Sequence, residues 1–431
     1  LMELTHYPKL DEDVFRAKLP NGLTVALVRR KGFSKKLAYF VTDYGSIHTE
    51  FDFEGNHYVA PAGVAHYLEH KMFDLPGQRD VSAEFAAMGA MTNAFTSYDM
   101  TAYYFSCTDN FEKCLKLLLE FVSTPYFTEE SVEKERGIID QEIGMNLDSP
   151  DTAVFENMVT ALYHNHPIRT PILGTEESIR QITAELLHTC HRAFYTPQNM
   201  LLCVMGDVDC GEVCCIARSV LGDEPAEGAI KTPFPEETMT CPEQVCQTSM
   251  DIPMPTFYLG FKCPPVPMGE AGIRQEVIGD LATEVLLGEA SELYLQLYEE
   301  GLIDSSFGGG FEVSDGCALL TCGGDSDDAV AVRDAILAQA QKIVRQGVDT
   351  QEFLRLKRSA MGRRIRDLDS FSSTCFRLCA YACSDFDYFD FPSVYETVKP
   401  EDVRQFLCEH IRPDNCAISV IYPIKEETYE S

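Results

Sequence analysis

Two stretches of this chain, about half its length apart, align without a gap. Val132–Ser149 reads VEKERGIIDQEIGMNLDS, and Phe353–Ser370 reads FLRLKRSAMGRRIRDLDS. Both carry a helical pattern and both end in Leu-Asp-Ser. A repeat on this scale binds the fold more tightly than any local pattern, because each half must build the same unit. The flanking elements recur in the same order. An amphipathic helix is predicted before each stretch, over Phe111–Val122 and Ala329–Arg345, and a strand pair before that, over Met91–Cys107 and Phe307–Cys322. Each half opens on a strand, Leu37–Tyr44 or Thr256–Phe261. Each closes on a Pro- and Asn-bearing loop and an apolar strand, Phe194–Asp207 or Ile411–Pro423.

The expected fold class is α+β: two homologous domains from internal duplication, each a mainly antiparallel sheet with helices packed on one face. At 431 residues the chain is too long for one ordinary core. The join is expected over 221–244, where Gly, Pro, Glu and Thr concentrate and periodicity vanishes. That leaves 1–220 as one domain and 245–431 as the other.

The halves differ where chemistry is concerned. Residues 66–70 read His-Tyr-Leu-Glu-His. On a helix the four-residue spacing puts His66 and His70 on one face, within reach of one metal ion. Glu69 sits beside His70, able to touch a water at the metal without ligating it. Two imidazoles and a carboxylate base are what zinc-assisted hydrolysis needs, and the order is the reverse of the commoner H-E-x-x-H helix. Pro61 offers a helix-start signal, and Leu68, Met72 and Phe73 an apolar side. The alternative is a pair of core or surface histidines.

Two histidines make a weak site, so a third ligand is required. Glu133, Glu135, Asp140 and Glu142 lie on the repeated helix. Glu135 and Glu142 are seven apart and share a face. Ile138, Ile139 and Met145 lie near that face and predict that it packs inward, where acids are costly unless paired or metal-bound. Glu142 as ligand with Glu135 behind it would answer that cost; surface pairs with Lys134 and Arg136 would answer it equally well. The second half aligns Arg363 with Glu142, and the counterpart of the metal helix, sought over Gln275–Gly301, has no histidine.

Composition narrows the partners. The formal charge is −33, from 68 acids against 35 bases. Such a surface repels nucleic acid and anionic membranes and favours neutral or basic peptides; the plainer reading is that acidity keeps the protein in solution. No apolar run approaches the roughly 20 residues of a membrane span, and the first residues lack the regions of a secretory signal. The 17 cysteines show no short disulfide pattern, and the expected location is a reducing cytoplasm. Cys375, Cys379 and Cys383 recur along one helix face, as buried thiols or as a metal or redox cluster. His57, His164 and His166 lie outside the motif and are expected at the surface. Gly308-Gly309-Gly310 lacks the Lys-Ser/Thr of a phosphate loop and reads as a strand-edge bend.

Together these residues resemble the pitrilysin-type (M16) zinc metallopeptidases, most closely the bacterial YmfH group of processing-peptidase-like proteins. The likeness covers nearly the whole chain. It rests on Leu19-Pro20-Asn21-Gly22-Leu23-Thr24-Val25, placed at the first strand, and on Gly63-Val64-Ala65-His66-Tyr67-Leu68-Glu69-His70. It rests also on Asn93-Ala94-Phe95-Thr96, Thr101-Ala102-Tyr103-Tyr104, Glu135-Arg136-Gly137-Ile138-Ile139 and Gln141-Glu142-Ile143. The resemblance implies Zn2+ held by His66, His70 and Glu142, Glu69 as general base and Glu135 in support. It implies a peptide substrate lying as an added strand against Asn93, Ala94 and Phe95. One departure stands out. Active members carry an Arg and a Tyr, seven apart, that hold the scissile carbonyl; here Tyr298 stands near the first position and Asp304 or Ser305 near the second. The expected function is therefore a zinc metalloendopeptidase or peptide-processing subunit that needs a homologous partner chain, in a hetero- or homodimer, for the clamp. The alternatives are a catalytically weak peptide-binding or scaffold subunit, and a structural metal site.

Overall fold

The computed structural model describes residues 2–77 and 79–424. In the first half, strands β1 (Met2–Tyr7), β2 (Glu12–Lys18), β3 (Thr24–Arg29) and β4 (Lys36–Thr42) lead to helix α1 (Val64–Lys71). Strands β5 (Met91–Thr96) and β6 (Thr101–Cys107) follow, then helices α2 (Phe111–Ser123), α3 (Glu129–Leu147), α4 (Pro150–Leu162) and α5 (Ala184–Phe194), then β7 (Met200–Gly206). In the second half come β8 (Val245–Met250), β9 (Thr256–Cys263), α6 (Glu270–Leu287), α7 (Glu292–Glu299), β10 (Gly308–Ser314) and β11 (Cys317–Asp325). Helices α8 (Ala329–Gln346), α9 (Thr350–Asp367), α10 (Phe371–Cys383) and α11 (Pro400–His410) precede the last strand, β12 (Cys416–Pro423).

The sheets carry the duplication in their wiring. The first runs β1-β2-β3-β7-β4-β6-β5 and the second β8-β12-β9-β11-β10. Strip β1 and β2 from the first and the two orders coincide. The one parallel pairing also recurs at the same place, β7 on β3 and β12 on β8. The repeated Leu-Asp-Ser has a local meaning: Ser149 and Ser370 cap α4 and α10, accepting from the Thr152 and Ser373 amides. Each such cap is worth about 1 kcal/mol.

Two compact units emerge, neither contiguous in sequence. One comprises residues 1–143, 171–233 and 364–390; the other comprises 144–170, 234–363 and 391–431. In the first unit, β7 is buried along its whole length, because both faces of the sheet are covered. Leu202 and Val204 join the core beneath α1 and α2. Cys203, on the other face, meets the thiols of Cys375 and Cys379 on α10. All three are fully buried, which explains a helix face of cysteines in a chain whose strands alternate. In the second unit α4 packs on β9 and β12. Gly260 on β9 admits it closely, since a Cβ there would lie 2.4 Å from Met158 Sδ.

Three local expectations are corrected. Leu19–Val25 is not the first strand: it forms a turn, with Gly22 at φ 93°, and opens β3. The preceding β1 and β2 are half-exposed and rich in charge, so their alternation is masked. His166 is not at the surface. It is fully buried, its Nδ1 accepting from the Ile168 amide at 3.1 Å and its Nε2 facing the Asp315 carbonyl at 2.9 Å. Gly308–Gly310 is no bend but the start of edge strand β10. Among the described residues no helix is long and apolar enough to cross a membrane.

Candidate metal centre

Helix α1 is short, and its start is set by a close backbone approach rather than by Pro61. Gly63 caps it at φ 87°. A Cβ on Gly63 would lie 2.4 Å from the Leu173 carbonyl oxygen, and one on Gly174 would lie 2.5 Å from that of Ala62. Two glycines therefore let two backbone turns touch, which fixes where the helix begins. Seven of its eight residues are buried, with only His70 partly open.

The sequence-predicted ligands converge. The donor atoms of His66, His70 and Glu142 all lie within 4.8 Å of one another. Glu142 Oε2 is 3.7 Å from His66 Nε2 and 3.5 Å from His70 Nε2. Both separations are too long for hydrogen bonds. They suit donors sharing an ion, since ligands about 2.0–2.1 Å from a tetrahedral centre sit about 3.3–3.5 Å apart. The histidine rings stand 4.5 Å apart at 61°, each presenting an edge nitrogen to the same point. Two imidazole nitrogens and one carboxylate oxygen, with a fourth position left open, fit a divalent ion of the kind that polarises water.

Protonation suits the same role at His66. Burial, reinforced by the neighbouring His70, lowers His66 to about 3, so its lone pair is available at neutral pH. Its Nδ1 is buried with no hydrogen-bond partner among the described residues. His70 is handled differently. Burial disfavours its charge, but the hydrogen bond to Glu135 and the carboxylates of Glu69, Glu135 and Glu142 outweigh this and raise its pKa. Glu135 Oε1 lies 2.9 Å from His70 Nδ1, which leaves Nε2 pointing at Glu142; such outer carboxylates fix the tautomer of a ligating imidazole. For Glu135, burial raises the carboxyl pKa, yet the bond to His70 wins and holds it below the ordinary value.

Glu69 is buried beside the pair. Its Oε2 accepts from Thr96 Oγ1 at 2.9 Å. Burial raises its pKa and Glu142 adds to the rise, against the pull of Thr96 and His70. Asn93, Ala94 and Phe95 occupy the same strand as Thr96. That strand, β5, pairs among the described residues only with β6 and forms a sheet edge.

The helix face of Glu142 packs inward only in part: Ile139 is buried, but Ile138 is 47% and Met145 68% exposed. The Glu142 side chain is itself 34% exposed, so the imidazoles answer its charge, not a closed core. Sequence reasoning missed Thr96, which no spacing rule links to Glu69, and also Tyr67 and Lys71. The one signal for Lys71 was a lysine on an otherwise apolar helix side. In the second unit Tyr298 is exposed on α7, and Asp304 accepts from the Ser306 amide at 2.7 Å.

Comparison with known proteins agrees in extent. The family described as insulinase (peptidase family M16) matches residues 55–176, and the M16 inactive-domain family matches 181–360. The Bacillus subtilis (strain 168) protein called uncharacterized zinc protease YmfH is 36% identical over 424 residues, which is 97% of this chain and 98% of the relative. A structure described as an M16-like peptidase from Alicyclobacillus acidocaldarius superposes with TM-score 0.92 at 33% identity, covering 96% of this chain and 99% of the other. A Helicobacter pylori protease, at 20% identity and TM-score 0.79 over 95% of this chain and 99% of its own, shares the fold.

Proposed function

The chain belongs to peptidase family M16, and from that premise we propose that it is a zinc-dependent peptidase subunit hydrolysing peptide bonds at the His66–His70–Glu142 centre. The observation that carries this reading is the convergence of three donor atoms within 4.8 Å, with the Glu69 carboxylate beside them. When bound, the zinc ion supplies Lewis acidity and makes a water acidic near pH 7.

The chain's own residues do the rest. Glu69 takes the proton of the attacking water and returns it to the leaving amine; its raised pKa moves it toward the range useful for both tasks. Thr96 holds the Glu69 carboxylate and ties the base to the edge strand. The open edge of β5, at Asn93, Ala94 and Phe95, pairs with the main chain of an extended peptide. Glu135 holds His70 in the ligating tautomer.

Charge on the scissile carbonyl needs a further donor. Tyr298, Asp304 and Ser305 offer no guanidinium, and Asp304 is occupied by its own loop. We therefore assign the missing clamp to a homologous partner chain, with the reducing cytoplasm as the compartment that suits 17 cysteines. The second reading, a peptide-binding subunit without turnover, draws on the same absence.

Metal analysis and peptide cleavage by the chain, alone and with candidate partners, separate the two. Glu69→Gln is expected to retain zinc and to lower turnover by about 10²- to 10⁴-fold. Normal cleavage by that variant would remove Glu69 from the mechanism. Full activity of the lone chain would remove the partner.

A further inference from the structure

Two side chains on α1 that neither ligate nor touch the ligands reach across to α3. Lys71 is 1% exposed, yet its ammonium sits among protein atoms, donating to Asp74 and, at 3.3 Å, to the Ser131 carbonyl. One turn earlier the buried Tyr67 hydroxyl donates to the Val132 carbonyl. Residues four apart share a helix face, and here they seize two successive carbonyls at the start of α3. By the helical i→i−4 pattern, those carbonyls already accept from the Glu135 and Arg136 amides.

Stability alone does not call for a charge at Lys71. Burying an ammonium costs several kcal/mol before its partners repay it, and an apolar side chain of similar volume is often as stable. A buried ion can instead fix a register that a methionine leaves free. Register matters here because the ligands come from two helices. Glu142 lies ten residues beyond Val132, about 15 Å along α3. A tilt of about 5° at the Lys71 and Tyr67 contacts would swing Glu142 by roughly 1 Å, whereas metal sites tolerate about 0.2 Å.

We propose that Lys71 and Tyr67 are positioning residues that bolt α3 to α1 so that Glu142 meets the histidine pair. The inference rests on the zinc reading above and adds to it the pair that sets the geometry of the site. Lys71 acts through the Ser131 carbonyl and Asp74, and Tyr67 through the Val132 carbonyl. Glu135 then adds a third link, from His70.

The test uses the full chain. Zinc affinity is measured by competition with a chelator, and ligand geometry by the visible absorption of the cobalt-substituted protein. Lys71→Met and Tyr67→Phe are each expected to weaken zinc binding by about 10- to 100-fold, the cost typical of losing an outer partner. The cobalt spectrum should shift with them. Zinc affinity within twofold of native and an unchanged spectrum in both variants would overturn the proposal, even if their melting temperatures fall. Should Lys71→Met not fold, Tyr67→Phe, which removes one hydroxyl, decides alone. A native chain that binds no zinc would instead strike the reading on which the proposal rests.

Discussion

The same pair of helices meets twice in this molecule, and the two meetings are held differently. In the first unit α1 and α3 face each other through His66, His70, Glu135 and Glu142. In the second, α6 and α9 face each other through Arg363 and Glu284, an ion pair of partly exposed side chains. Arg363 is the residue aligned with Glu142. Duplication has thus placed a cation where the first half places a carboxylate, and a carboxylate of the chain itself answers it. A partly exposed pair of this kind contributes about 0–1 kcal/mol. The first unit instead gathers two imidazoles and a carboxylate whose donor atoms lie within 4.8 Å of one another. One helix pair meets through an ion pair of its own; its homologue meets through a cluster with the donor set of a metal site.

The sharpest way to break the contrast is to make the first half like the second. Glu142→Arg should cost more than about 100-fold in zinc affinity, beyond what loss of an outer partner costs, while circular dichroism keeps its native form. If zinc content is unchanged, Glu142 is not a ligand.

Acid offers the next largest effect. In the first unit burial lowers His66 to about 3, and it lowers His191, bonded to the Val122 carbonyl, to about 4. Unfolded histidines titrate near 6.5. Below that pH the unfolded chain binds more protons, so stability rises with pH. These two histidines should therefore cost the metal-free chain a few kcal/mol between about pH 6.5 and 4, against which His70, with its raised pKa, acts in the opposite sense. His191→Gln, which keeps a donor for Val122, should flatten part of that slope in urea titrations. An unchanged slope would mean His191 is not held neutral.

The smallest effect belongs to the second unit. Arg363→Ala should alter stability by less than about 1 kcal/mol and leave zinc content untouched. A larger loss by denaturant unfolding would mean the pair holds more than its exposure suggests.

Much of this was legible before any coordinates. The gapless repeat predicted α3 and α9, because helix periodicity is a local property; that its closing serines cap α4 and α10 came only with the structure. The His66–Glu69–His70 spacing likewise survives in any helix. Glu142 was different. Its pairing with the histidines depends on how two helices dock, and its helix face turns inward only in part, with Ile139 buried but Ile138 and Met145 exposed. The segments gathered into each unit from both halves of the chain were also beyond sequence, since no periodicity says which sheet α4 or α10 will cover. Tyr67 and Lys71 stayed hidden because their partners are main-chain carbonyls, which carry no signature in a sequence.

The open side of β5 carries one more consequence. An unsatisfied strand border accepts any extended segment, including the same border on another copy. The segment Met-Thr-Asn-Ala-Phe-Thr has no charged residue of its own to prevent this. Protection falls to the molecule as a whole: at −33, two copies repel before their borders can align. Added salt eases self-association along that border, over a screening distance of about 8 Å at physiological strength.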